Sequence, residues 1–246
     1  MRITYHTITN PGNRDCNEDS FGVLNPDQAF SCYMVADGLG GHGLGDVASK
    51  LAVEAFDELI RDGQEKQLSI YLNDGFLLAQ KKVLAQQEIL HNRRALKTTA
   101  VALCIQDDKL QWGHVGDSRL YAFRKRKIVQ RTSDHSVPQL LVQAKEIKEK
   151  QIRFHPDRNK LLRAIGIPWD NPQFELSEIY PAKKFDAFLL CSDGFWELIA
   201  EKQMQKLLKT SKTPQEWLTQ MEKVVLENGA DVNMDNYTAV AVFLSE

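Results

Sequence analysis

Five aspartates stand where apolar, strand-like runs begin or end. Asp19 precedes Ser20–Leu24, Asp37 follows Phe30–Ala36, and Asp117 follows Leu110–Val115. Asp193 follows Ala187–Ser192, and Asp235 precedes Tyr237–Phe243. A strand end is a rigid platform, and a carboxylate placed there faces a cleft rather than the core. Carboxylates gathered at one sheet edge repel one another unless a cation lies among them. Hard oxygen donors of this kind suit Mg²⁺, Mn²⁺ or Ca²⁺.

The elements that must hold these residues read as strands first: Ile3–Thr9, Ser20–Leu24 and Phe30–Ala36, the last two joined by the turn Asn25-Pro-Asp27. A helix from about Asp46 to Asp62-Gly63 places Ala48, Leu51, Ala52, Ala55, Phe56 and Leu59 on one face, and a second places Leu72, Phe76, Ala79 and Val83 on one face. Strands return at Thr99–Ile105, Lys109–Val115, Arg119–Phe123 and Lys127–Gln130. Ser136–Gly166 is polar, with one helical stretch at Pro138–Ala144, and reads as an inserted lobe. Strands resume at Phe174–Ile179 and Phe185–Cys191. Short helices cover Phe195–Leu208, an amphipathic helix carries Trp217, Met221 and Val224, and Tyr237–Leu244 closes the chain as a strand.

Strands followed by helix pairs, without strict alternation, indicate α+β with mostly antiparallel sheets. Two stacked sheets flanked by helix pairs would bury all these faces. A hairpin of Ser20–Leu24 with Phe30–Ala36 brings Glu18 and Asp19 near Asp37. Antiparallel pairing of the last two long strands would bring Asp193 to Asp235.

The chain's 246 residues fit one domain, 1–246, and 43% hydrophobic content supports a sizeable core. With 31 basic and 33 acidic residues, neither nucleic acid nor membrane is an expected partner, and a monomer is expected. Arg124–Lys127 reads as a solvated hairpin turn. The four cysteines form no C-x-x-C pair, and Cys32, Cys104 and Cys191 sit in apolar runs as core residues. No signal-peptide layout or membrane-spanning run is present, so the cytoplasm is the expected compartment.

Val35–Gly43 contains a formal G-x-G-x-x-G at Gly38, Gly40 and Gly43. A dinucleotide reading fails because Asp37 would face the pyrophosphate, a second helix follows instead of a parallel strand, and no acidic residue ends a second strand. A tight turn that lets a backbone carbonyl and Asp37 face a metal together fits better. Arg14–Asp19 alone reads as a solvated loop, and Gly116-Asp-Ser-Arg119 as a hairpin turn. Ser192-Asp-Gly194 and Asp235–Thr238 alone read as Asx turns. Turn chemistry explains any one of these more readily than the set. His42 reads as an exposed loop residue, His114 and His135 as structural. The C-x5-R, G-x-x-x-x-G-K-[ST], H-E-x-x-H and G-x-S-x-G signatures are absent.

In order, Arg14–Asp19, Val35–Gly41, Thr98–Ala100, Val115–Arg119, Arg131–Ser136, Leu190–Gly194 and Asp235–Thr238 resemble the metal-dependent protein phosphatase family known as PP2C or PPM, in its bacterial form. The resemblance spans nearly the whole chain and implies a β-sandwich flanked by paired helices. It implies hydrolysis of phosphoserine and phosphothreonine by metal-activated water at two Mn²⁺ or Mg²⁺ ions, with a third in some bacterial members. It assigns Asp37 as the bridging carboxylate and Asp193 and Asp235 to the first metal. Glu18 and the Gly38 carbonyl go to the second, with Asp19 in or beside that shell. Arg14 becomes the phosphate clamp, Asp117 joins Asp193 at the third site, and about 137–166 becomes a mobile flap.

The chain departs from the family where many eukaryotic members carry His: here Leu39 stands. Lys97 stands where Gly is frequent. Phe195-Trp196-Glu197 resembles phosphatases linked to bacterial type VI secretion. The expected partners are therefore phosphoproteins made by a Ser/Thr kinase. The competing readings are a metal-binding pseudophosphatase acting as a docking module, and a nucleotide-binding enzyme.

Overall fold

Residues of the central strands are mostly apolar, because both faces of those strands are covered. The structure, a computed structural model, describes residues 1–26, 28–39, 44–62, 67–92 and 96–245. One sheet holds β1 (Arg2–Asn10), β12 (Tyr237–Ser245), β11 (Ala187–Cys191), β7 (Arg119–Arg124) and β8 (Lys127–Arg131), in that order. The other runs β10 (Tyr180–Pro181), β6 (Lys109–Val115), β5 (Ala100–Gln106), β3 (Phe30–Leu39), β2 (Asp19–Leu24), with β4 (Lys97–Thr98) on β3 and β9 (Glu175–Leu176) on β6. Every pairing is antiparallel.

The side-chain period of two sorts each strand between two cores. In β3, Tyr33 and Val35 point between the sheets, where they join Leu103 of β5, Leu190 of β11 and Val240 of β12. Cys32, Met34 and Ala36 point outward, against Ala52 and Phe56 of α1 (Gly45–Arg61) and Phe76 of α2 (Leu68–Ile89). On the far side, Leu189 and Cys191 meet Trp196 of α4 (Asp193–Trp196), Met204 of α5 (Glu201–Thr210) and Trp217 of α6 (Pro214–Gly229). The result is the expected α+β architecture, helices outside two stacked sheets. The second predicted helix face is buried as read; on the first, Ala48, Ala52, Ala55 and Phe56 are buried while Leu51 and Leu59 are half-buried against the same core, and Cys32, Cys104 and Cys191 are core residues.

Three expectations need correction. Gly116–Arg119 is not a hairpin turn: β6 and β7 belong to different sheets, and the chain crosses between them there. Local turn signals cannot distinguish a hairpin from such a crossing. Phe174–Ile179 is not one strand: only β9 lies within it, and a second short piece, β10, follows at Tyr180. Between them Ser177 exchanges bonds with Trp112, its hydroxyl accepting from the Trp112 amide at 3.1 Å. The next strand starts at Ala187 rather than Phe185, because a 3₁₀ turn over Ala182–Lys184 ends on Phe185. The segment after Ser136 holds α3 (Val137–Gln143) and a 3₁₀ turn at Glu149–Phe154. Lys125 and Arg126 both have positive φ, which suits the tight β7–β8 hairpin.

Candidate metal centre

The strand register brings the first acidic residues together. Asp19 lies directly opposite Asp37 in the β2–β3 ladder. Glu18 is held one residue upstream: its amide donates to Asn236 Oδ1 at 2.8 Å, and its carbonyl accepts from Ser49 Oγ at 2.6 Å. Glu18 Oε1 accepts from the amide of Gly45, where α1 begins. A negative side chain at a helix N-terminus is favourably placed. Gly38 passes so close to this loop that a β-carbon would sit 2.2 Å from the Gly45 carbonyl oxygen and 2.5 Å from that of Glu18. Only glycine fits there.

Asp37 is fixed through its backbone. Its amide donates to Thr99 Oγ1 at 3.1 Å, and its carbonyl accepts from Thr98 Oγ1 and the Thr99 amide, each at 2.9 Å. Thr98-Thr99 is thus a clamp on Asp37. The antiparallel β11–β12 pair sets Asp193 near Asp235, as expected. Asp37 and Asp193 come within hydrogen-bonding reach of each other. Asp235 accepts from the Asn236 amide at 2.9 Å and from Arg14 Nη2 at 3.0 Å. Asp117 sits in the crossing between sheets, buried.

Arg14, Glu18, Asp37, Gly38, Asp117, Asp193 and Asp235 line one cavity of about 360 Å³. Leu39 joins the wall, as do Asn159 and Leu161 from the 137–166 segment. Asp19 does not reach the cavity: it lies behind, where its Oδ2 accepts from Ser192 Oγ at 2.7 Å. Its Oδ1 is buried with no hydrogen-bond partner. His42 lies outside the described residues.

Burial, then repulsion among neighbours, sets the electrostatics. Burial pushes the Asp37 carboxyl well above its usual range, with Asp193, Asp19 and Asp117 adding to it. Asp117 is raised for the same reasons, and Asp193 and Glu18 are raised too. Asp19 is pushed up to about 7 by burial, against the lowering effect of Ser192. Such a set ionises fully only with positive charge among it. The donors are all carboxylate or carbonyl oxygens, with an orphaned buried oxygen behind them, so the residues fit hard divalent cations.

Sequence reasoning gave Asn236 no role, yet its side-chain amide donates to Pro11 and Cys16 carbonyls, both at 2.9 Å, and its oxygen holds Glu18. It staples the Arg14 loop to β12. The lobe is also tied to the site's frame. Arg153 donates to both carboxylate oxygens of Glu201 and to the carbonyls of Trp196, Glu197 and Ile199, while Arg158 pairs with Glu197 at 3.0 Å.

A separate group stands away from the cavity. His114 and His135 stack at 4.6 Å, and His135 Nε2 lies 3.1 Å from Glu175. The three could offer donor atoms within 4.8 Å of one another. However, the Gly116 amide donates to His135 Nδ1, which keeps the ring's proton on Nε2, facing Glu175. A metal ligand needs a bare nitrogen, so His135 fits the structural reading; His114 donates from Nε2 to the Ser133 carbonyl at 2.7 Å, which leaves its proton-free nitrogen at Nδ1.

The protein phosphatase 2C profile matches residues 11–237. The serine/threonine phosphatase stp of Listeria monocytogenes serotype 4b is 32% identical over 205 residues, covering 81% of this chain and 80% of its own. A solved bacterial serine phosphatase superposes with a TM-score of 0.86 at 25% identity, over 99% of this chain and 98% of its own. The catalytic domain of the serine threonine protein phosphatase PstP, solved with two manganese ions, gives 0.84 at 26% identity, over 99% of both chains. A clamped pair of facing strand ends, an acidic cavity and a match running from Pro11 to Tyr237 agree: the chain belongs to the protein phosphatase 2C family.

Proposed function

We propose that this chain, a protein serine/threonine phosphatase by family, hydrolyses phosphoserine and phosphothreonine at a binuclear Mn²⁺ or Mg²⁺ centre. The convergence of Glu18, Asp37, Asp117, Asp193, Asp235 and Gly38 on a cavity bordered by Arg14 carries the reading. Asp37 would serve both ions, Asp193 and Asp235 would hold one, Glu18 and the Gly38 carbonyl the other, and Asp117 with Asp193 would hold a third. Asp19 acts from behind, through Ser192. When bound, the ions supply charge neutralisation and an acidified water for in-line attack on phosphorus. Arg14 offers a two-pronged donor to phosphate oxygens. Leu39 supplies no proton, so protonation of the leaving oxygen falls to water in the cleft.

The lobe at 137–166 forms one wall of the cleft through Asn159 and Leu161, within a single domain over 1–246. Among the described residues, no helix is long and apolar enough to cross a membrane. We place the protein in the cytoplasm, acting on targets of a Ser/Thr kinase, with Phe195-Trp196-Glu197 suggesting a type VI secretion pathway. Phosphoproteomics after gene deletion tests that placement. Activity is tested by turnover of a phosphothreonine peptide with and without Mn²⁺. Strict metal dependence is expected; full turnover after exhaustive chelation would sink the reading, and metal binding without turnover would favour the docking module.

A further inference from the structure

We propose that Trp196 is a positioning residue that braces Asp117 against Asp193. This rests on the reading of those two carboxylates as a shared metal pair. Trp196 is three residues past Asp193, on the single turn of α4, and is 2% exposed. Its indole Nε1–H donates to the Asp117 carbonyl at 3.0 Å. Its ring is covered by Arg119, whose guanidinium carbon lies 3.3 Å from the ring centroid. Arg119 is itself two residues past Asp117.

One residue therefore links the two segments that carry the pair: its backbone ends the α4 turn that begins at Asp193, and its side chain bonds the Asp117 carbonyl. The Asp117 loop crosses between sheets and has no strand ladder of its own to fix it. Gly116 is tied to His135 and Ser118 to Thr99, and Trp196 with Arg119 adds the bond on Asp117 itself. Arg119 is locked in turn by Asp134, with bonds of 2.8 and 2.6 Å, and by the Tyr121 hydroxyl at 3.1 Å. The far end of the α4 turn is held by Arg153 on the carbonyl of Trp196 itself, at 3.0 Å. Residues that orient metal ligands from behind shift metal affinity when removed, typically by ~10–100-fold.

Trp217 provides an internal control. Its indole Nε1–H donates to the Met204 carbonyl at 3.0 Å, in the same outer core, and it is fully buried. It touches neither acidic loop through that bond. Trp196→Phe and Trp217→Phe each remove one buried indole bond and keep an aromatic ring. Mn²⁺ isotherms by calorimetry, without substrate, are compared with thermal melts. Both variants are expected to lose Tm by similar amounts. Only Trp196→Phe is expected to weaken the loosest class of Mn²⁺ binding, about tenfold, leaving the tighter classes in place. Arg119→Lys, which withdraws the stacked plane, is expected to do the same if the Phe variant does not fold. An unchanged isotherm for Trp196→Phe, or an equal shift in Trp217→Phe, would overturn the brace. Asp117→Asn separates the two levels: it must abolish the loose class. If it leaves the isotherm unchanged, the metal-pair reading falls and the brace with it.

Discussion

At the scale of single residues, charge and position divide the labour. Asp37 stands between Asp193 and Asp19 and is raised by both after burial. Asp37→Asn should lower turnover at least about a hundredfold at saturating Mn²⁺, the scale of losing one well-placed electrostatic group, with the thermal melt retained. Wild-type turnover in that variant would contradict its role. Arg14 is half-exposed and pairs with Asp235 at 3.0 Å, so it sits at the mouth of the cavity beside a proposed ligand. A bond to a charged group contributes about 1.5–3 kcal/mol, so Arg14→Ala should raise KM roughly 10- to 100-fold with a smaller fall in kcat. Ground state and transition state both present phosphate oxygens to the guanidinium, so much of its binding is uniform. Arg14→Lys should recover part, because a point charge lacks the fork. An unchanged KM in steady-state kinetics on a phosphothreonine peptide would remove Arg14 from the clamp. The residues of this site were legible because carboxylates at strand ends are costly without a purpose. Asp19 shows the limit: it stands opposite Asp37 in the ladder, yet its carboxyl is taken up by the Ser192 hydroxyl, a partner distant in sequence.

Among elements, the sheets and long helices were legible from periodicity, while their mutual attachments were not. Nothing local in Gly116–Arg119 distinguishes a hairpin from a crossing between sheets; the partner strands decide that. Asn236 and Trp196 were equally opaque, since each acts through bonds to residues distant in sequence, Asn236 to Pro11 and Trp196 to Asp117. The same holds for the lobe after Ser136. Its polar sequence gave short elements but hid Arg153, whose one nitrogen serves three carbonyls and whose other grips Glu201 at 3.0 and 2.9 Å. Ile152 beside it is buried in the outer core. Arg153→Met should remove these bonds, leaving the Glu201 carboxylate only its longer contacts with Tyr121 and Arg119. Because Glu201 is itself 36% exposed, the loss should be about 2 kcal/mol, below the range for a fully buried pair. The urea midpoint should fall with an unchanged m-value, and limited proteolysis should cut first between Lys145 and Lys150. A wild-type midpoint and digestion pattern would mean the lobe is held by its apolar contacts alone.

For the molecule as a whole, the acidic cavity makes stability depend on pH and metal together. Carboxyls raised by burial and repulsion bind protons in the native state at pH values where the unfolded chain has released them. Asp19 illustrates the window, from 3.8 unfolded to about 7 folded. The native state then holds more protons than the unfolded one, so these groups lose stability as pH rises through that window. Two histidines act oppositely. His135 is lowered to about 4 by burial and then by His114, and His114 is lowered by burial. The native state holds fewer protons there, so their contribution grows as pH rises from about 4 toward 6.5. The metal-free melt is therefore a sum of opposing slopes and does not isolate the cavity. The gain on adding Mn²⁺ follows the cavity's ionised carboxylates, and His135→Gln, which breaks up the His114–His135–Glu175 group, is the control for those other donors. Bound metal stabilises the native state by mass action, and proton competition weakens it at low pH. The Mn²⁺-induced rise in Tm should be several degrees larger at about pH 8 than at about pH 5. Neutralising Asp37 as Asn should flatten that difference, while His135→Gln should leave it in place. An equal Mn²⁺ gain at both pH values, measured by differential scanning calorimetry, would show that the cavity's protons and the metal do not compete for the same oxygens.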